Sequence, residues 1–294
     1  MIDYTDLLGE AWLSAQSVHK ISKPFLYRLI KDNKVGYFLG SCHYIPLSFF
    51  SEEFFKIIQN CQNFVGESSG TPPVTREVLE KVGAIITSSN KEEHWFESLD
   101  DLTRIYLNHI FQSRSSCLIK EMALKEATFP LAFLIYKMCA QQKIGMDQQI
   151  EELFPRTHIY GLETIAESLP LMLPEIAVPS LMEWQEQLYT CIYSGKGILD
   201  ESSREFIVNY QNGIITVETD LFRKDGGLIS RNYNWMKVWH KYFADLDTPL
   251  FCVGAAHIFG EHGILNLLLQ ADYYIEYPFG LPLPRCELIN YAEQ

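Results

Sequence analysis

Two histidines close apolar runs of the same local design. "YFLGSCH" ends on His43 and "LFCVGAAH" ends on His257, each with a glycine three residues earlier and two small residues between. Such a run reads as a buried strand, and small residues before the histidine let the backbone pass close to a ligand. Two carboxylates occupy comparable places, Glu67 at the end of "NFVGE" and Glu163 at the end of "IYGLE". In open α/β sheets ligands lie outside the carboxyl ends of the strands, so two imidazoles and one or two carboxylates are expected to face one crevice. Nitrogen and oxygen donors without thiolate suit a divalent ion such as Zn²⁺ or Mn²⁺, with one coordination position left for water. An ion of that kind polarises a carbonyl and acidifies a water, which is what amide or ester hydrolysis requires.

Each of these residues also has an ordinary reading. A strand-end histidine can be a hydrogen-bonded structural residue, and a carboxylate after a strand can meet the positive end of a helix. The repetition of the motif brings the functional reading of His43 and His257 level with the structural one. His262, five residues after His257 and past Gly260, reads as the start of the next helix. His19, His94, His109, His158 and His240 have no repeated context and read as surface or packing residues. Cys42 beside His43 suggests a thiol nucleophile, but neighbours on a strand point to opposite faces. No GxSxG, GxxxxGK[ST] or GxGxxG is present, so neither a serine elbow nor a nucleotide loop is expected. "RNYNWM" (residues 231–236) reads as the solvated face of an amphipathic helix.

The elements that must position these groups follow from periodicity. Residues 25–30 and 35–42 have strand character around the turn "KDNK", giving a hairpin. Ser51 is the expected N-cap of a helix carrying Phe54, Phe55, Ile57 and Ile58 on one face, with Glu52 and Glu53 in its first turn. A strand to Glu67 completes a βαβ unit. The C-terminal segment has the same order: strand 250–253, the second histidine motif, a helix at about 263–269 and a strand at 273–277. Between the two, three-to-four spacing dominates in "LTRIYLNHIF", "LIKEMALKEA", "LMEWQEQLYTCIY" and "SREFIVNYQNGI", interrupted by the strand-like "THIYGLET" after "GMDQQIEELF". The expected architecture is therefore α/β: one domain with a mixed sheet built from two related βαβ halves. Its core lies at about 25–70, 157–164 and 248–280, with a large helical insertion at about 75–245.

Composition bounds the function. A chain of 294 residues can bury a core without disulfide or metal. Its 24 basic against 37 acidic residues give a net charge of −13, which argues against nucleic acid and against anionic membrane surfaces as partners. The seven cysteines are dispersed and never form CxxC, so a reducing compartment is expected. Acids stand where a signal peptide needs bases, and the longest apolar stretch, "FPLAFLIYKMCA", is too short to span a bilayer. Cytoplasmic residence, or export without a cleavable signal, is expected.

In order along the chain, "FLGSCH", "FVGE", "GMD", "YGLET", "RN" with Met236 four residues after Asn232, and "VGAAHIFGEHGI" resemble the signatures of the TraB/GumN family. That family includes pheromone-shutdown proteins and the Tiki Wnt-inactivating proteases, and it is similar to a broader group holding erythromycin esterases and haem-binding ChaN proteins. The resemblance spans about residues 25–277. It implies an α/β core with His43, His257 and Glu67 at a shared site, and in the Tiki branch a metal-dependent peptidase activity. Gly40, Ser41, Gly254, Asn232 and Asp147 are then expected to line the binding site; Ser41 stands where relatives have threonine, and Cys42 where they have an apolar residue. The expectation is a hydrolase of a peptide or a small amide or ester using Mn, Co or Zn. His43, His257 and Glu67 would be ligands, with Glu67 also able to act as base. Arg231 would meet the oxyanion or a substrate carboxylate, and Glu163 would orient a histidine. The opposing expectations are a non-catalytic protein that sequesters a peptide, metal or haem, and a metal-independent esterase with a histidine base. Oligomeric state is not legible in the sequence.

Overall fold

The computed structural model describes residues 21, 23–42, 45, 47–69, 95–114, 124, 129, 132–133, 136, 146–164, 167–168, 180–194, 208–218, 227–280 and 283–289. The chain divides into two compact units, one of residues 19–72, 144–175 and 205–294, the other of residues 1–18, 73–143 and 176–204.

The first unit opens with the expected hairpin, β1 (Leu26–Lys31) and β2 (Lys34–Ser41), antiparallel with Lys31 opposite Lys34. Asp32 and Asn33 form its two-residue turn at φ 50 and 62, left-handed values that short polar side chains tolerate and that match the strand twist. Helix α1 (Glu52–Gln59) starts where Ser51 accepts a hydrogen bond from the Phe54 N–H, and it buries Phe54 and Ile58. Strand β3 (Asn63–Gly66), helix α2 (Met146–Glu151), strands β4 (Ile159–Gly161) and β5 (Ile214–Glu218), and helix α3 (Gly227–Asp245) follow. Strand β6 (Pro249–Gly254), helix α4 (Ile264–Gln270), and strands β7 (Tyr274–Glu276) and β8 (Arg285–Ile289) complete the unit.

Six strands form a mixed sheet in the order β4-β3-β6-β2-β1-β7. β4, β3, β6 and β2 are mutually parallel, and β1 is antiparallel to both β2 and β7. The α/β class and both βαβ units, β2-α1-β3 and β6-α4-β7, are those the sequence predicts. Their arrangement is closer than two half-sheets: β6 lies between β2 and β3, so the two histidine-motif strands are neighbours, with Ser41 opposite Gly254. From β2 the chain crosses toward β3, and from β6 it crosses the other way toward β7. Adjacent strands with oppositely directed crossovers make a topological switch point, where such sheets bind ligands.

Helix α3 packs on this sheet rather than belonging to a separate helical insertion. Phe243, Trp239, Trp235 and Arg231 recur every four residues and form one ridge of the helix. Trp239 stacks on Phe251 of β6 at 3.8 Å between ring centroids and meets Phe38 of β2 edge-on at 5.3 Å. The same ridge continues past the strand ends, which carries Trp235 and Arg231 to the edge of the sheet where β2, β3, β4 and β6 terminate.

A second, two-stranded sheet differs from expectation. Residues 203–214 read as helix in sequence, yet the described helix ends by residue 211, Gly213 turns the chain at φ 72, and β5 then pairs in parallel with β8 from Ile214–Arg285 to Glu218–Ile289. The β-branched run Ile214, Ile215, Thr216, Val217 is the local reason.

The other unit is helical where described. Helix Asp101–Arg114 is capped by Asp100, whose Oδ1 accepts the N–H groups of Leu102 and Thr103 at 2.9 and 3.1 Å. Helix Leu181–Ser194 begins with a reciprocal Ser180–Glu183 box. Its Trp184 is ringed by Trp95, Phe129, Phe133 and Tyr136 at 5.2–5.8 Å. Most of "LIKEMALKEA" lies outside the described residues. No described helix is long and apolar enough to cross a membrane.

Cys42, Cys61 and Cys252 are buried and take part in no disulfide. Burial pushes the Cys61 thiol up to about 12, and burial followed by the charge of Asp147 holds the Cys252 thiol well above its ordinary value. Since only the thiolate reacts readily, these three are expected to resist alkylation of the native protein at pH 8 and to label fully once it is denatured. Mass-spectrometric mapping of the labelled peptides checks this, and rapid native labelling of Cys252 would contradict its place in the core.

Candidate active site

Four parallel strands end at one edge, and each end carries a group picked out in the sequence. Ser41 ends β2, Glu67 follows β3, Glu163 follows β4, and His257 follows β6. The chains after β3 and β4 stay paired for two more residues, since the Leu162 and Glu163 N–H groups donate to the Gly66 and Glu67 carbonyls at 2.9 Å each. That extension places the two carboxylates side by side.

Arg231 reaches them from α3. Its Nε and Nη2 donate to Glu163 Oε1 at 2.9 and 2.6 Å, Nη2 also donates to Glu67 Oε2 at 2.5 Å, and Nη1 faces His257 Nε2 at 3.4 Å. The guanidinium also lies over the Trp235 ring, 4.7 Å from its centroid, and the His257 ring centroid lies 4.4 Å from that of the same indole. Burial alone would lower the Arg231 pKa, but the charges of Glu67 and Glu163 and their hydrogen bonds hold it above its usual value, so the cation is permanent. Burial raises Glu163 against the pull of Arg231. The two carboxylates are not equivalent: the Glu163 side chain is 6% exposed and that of Glu67 is 22% exposed. Glu67 is therefore the carboxylate that solvent or a ligand can reach.

Glu67 is held from its other oxygen as well, with Oε1 accepting the Gly254 N–H at 2.6 Å. A Cβ on Gly254 would come 3.2 Å from that oxygen, so the glycine of the second motif leaves room for the carboxylate. The glycine of the first motif serves packing: a Cβ on Gly40 would fall 2.0 Å from Ile258 Cδ1, in the turn that carries His257. Gly40 also accepts the buried Tyr210 hydroxyl at its carbonyl at 2.6 Å. His257 itself is buried, with Nδ1 2.6 Å from Asn232 Oδ1.

The structure thus brings together Glu67, Glu163, Arg231, Asn232, Gly254 and His257. Ser41 is buried beside the Cys252 thiol. Asp147 stands in the first turn of α2, close enough to raise Cys252 by its charge. His43 lies outside the described residues, as do His19 and His94. His262 sits just before α4 with its Nδ1 2.8 Å from the Tyr233 hydroxyl, His158 is at the surface, and His240 packs on Tyr273. The reading of "RNYNWM" as a solvated face is corrected for its first two residues: Arg231 is 8% exposed and Asn232 fully buried, because α3 turns that side to the strand ends. Trp235, the aromatic wall of the site, was not anticipated. Its signal was the four-residue spacing from Arg231 to Phe243.

The donor chemistry fits a divalent ion in part of what it requires. His257 Nε2 and the reachable Glu67 carboxylate are nitrogen and oxygen donors, and each has its other polar atom already fixed by a hydrogen bond, as outer-shell support of metal ligands demands, while Nε2 and Glu67 Oε2 themselves are turned to Arg231. Two carboxylates against one guanidinium also leave a negative charge when both are ionised. Among the described residues no group of three or more His, Cys, Asp or Glu is placed to hold a metal, and the expected third donor, His43, is not among them.

A family model described as the TraB/PrgY/gumN family matches residues 25–277. No curated protein and no solved structure gives a match.

Proposed function

Starting from a chain that belongs to the TraB/PrgY/gumN family, we propose that the crevice at the ends of β2, β3, β4 and β6 hydrolyses a peptide or a small amide or ester. The observation that supports this reading is the convergence of three unlike groups: a permanently charged guanidinium, a reachable carboxylate and an imidazole nitrogen within 3.4 Å of the guanidinium. Acyl hydrolysis needs a cationic or donor group where charge develops on the carbonyl oxygen and a base for the attacking water.

Of the five guanidinium N–H groups, three serve Glu67 and Glu163 and one faces His257, which leaves one Nη1 N–H to donate to the substrate oxygen. Glu67 takes the proton of the water as its oxygen bonds to the acyl carbon. The proton then passes to the departing amine or alkoxide as the C–N or C–O bond breaks. Glu163 holds the guanidinium so that it need not reorganise as charge develops. His257 Nε2, whose single lone pair would then leave Arg231 Nη1, and Glu67 would hold a divalent ion, with His43 as the expected third donor, and such an ion would supply Lewis acidity toward the carbonyl and acidify a water.

Hydrolysis of a mixed pool of peptides and esters, with chelator and then with Mn²⁺, Co²⁺ or Zn²⁺ added back, tests this. The expected result is turnover lost on chelation and restored by at least one ion. Turnover that survives chelation removes the ion from the account, and a folded protein inert on every substrate with every ion overturns hydrolysis.

A further inference from the structure

Asn232 is fully buried at the centre of three polar contacts, and donor–acceptor logic fixes all of them. Its Nδ2 points at two backbone carbonyls, His262 O at 2.8 Å and His257 O at 3.4 Å. Carbonyl oxygens only accept, so the amide nitrogen must be on that side; a flipped amide would set oxygen against oxygen. Oδ1 is then the atom 2.6 Å from His257 Nδ1. Because Oδ1 also only accepts, Nδ1 must carry the proton. The opposite edge of the ring agrees independently, since Nε2 faces Arg231 Nη1, which can only donate. An imidazolium would set an N–H against that guanidinium.

We infer that Asn232 is a positioning residue that locks His257 as the neutral imidazole protonated on Nδ1, and so assigns all chemistry of the ring to Nε2. Adjacent residues of α3 thereby divide the work: Arg231 supplies charge to the crevice, while Asn232 ties the turn after β6 to the helix and sets the proton on its histidine. The use made of Nε2 rests on the hydrolytic reading above, but the tautomer does not.

The test is long-range ¹H–¹⁵N correlation spectroscopy of the ¹⁵N-labelled full chain at pH 8 with chelator, the His257 signals being assigned by their loss in His257→Gln. The expected spectrum shows a protonated Nδ1 and an unprotonated Nε2 for His257, and folded Asn232→Leu shifts the ring toward a mixture of the two tautomers. A wild-type ring protonated on Nε2 overturns the inference, whether or not the leucine variant folds. An unchanged tautomer in folded Asn232→Leu also overturns it, by assigning the lock to Arg231 alone. A wild-type Nδ1–H tautomer in a protein that hydrolyses nothing would support the lock and sink only the functional reading.

Discussion

Replacing Arg231 by methionine is expected to lower stability by about 3–5 kcal/mol at neutral pH, the cost of leaving a buried ionic group without its partner. The guanidinium is the cation shared by Glu67 and Glu163, and the Glu163 side chain is 6% exposed. Methionine fills similar space but returns none of the three charge-assisted hydrogen bonds to the two carboxylates. The deficit should depend on pH with a defined sign. Burial already raises Glu163, and without the opposing cation its folded-state pKa rises further above the unfolded value of about 4.3. The penalty is then absent below that value, where the carboxyl is protonated in both states, grows as pH rises from there to the folded-state pKa, and levels off above it. Denaturant titrations of wild type and variant at pH 4 and pH 7 check this. A stability difference that is the same at both pH values would mean that packing, rather than charge, is what Arg231 contributes.

Much of the site was legible because the sheet converts sequence position into spatial position. Strand ends are marked by composition, and in parallel strands all carboxyl ends share an edge, so sequence alone assigns Glu67, Glu163 and His257 to one crevice. Their order across the sheet was not legible. Nothing in the apolar runs of β2 and β6 says that they are neighbours, because pairing of buried parallel strands is set by long-range packing. Periodicity alone assigns Arg231 and Asn232 to a solvated face for a related reason, although the family resemblance places both at the site: a polar pair on a helix looks solvated unless one knows that the helix runs past the sheet edge. The ridge of Trp235, Trp239 and Phe243 carried that information, since a helix with three buried aromatic residues at four-residue spacing must lie across a core. Strands β5 and β8 were missed because five-residue strands in a separate parallel pair leave a weaker signal than the helical spacing before them.

The central claim, that Glu67 and His257 perform chemistry rather than hold the fold, is expected to produce the largest functional effect. Glutamine at position 257 removes the imidazole and can still accept or donate one hydrogen bond. Glutamine at position 67 keeps an oxygen for the Gly254 N–H while abolishing the base and placing an amide before Arg231. Loss of a positioned base costs about 10²–10⁴-fold in rate. The most direct measurement is the turnover of His257→Gln and Glu67→Gln beside wild type on a substrate that wild type cleaves, with melting curves of all three recorded in the same buffer. The account predicts a rate lower by about 10²–10⁴-fold in Glu67→Gln and a loss of turnover in His257→Gln as well, with both variants still melting cooperatively. Wild-type rates in both folded variants would contradict it.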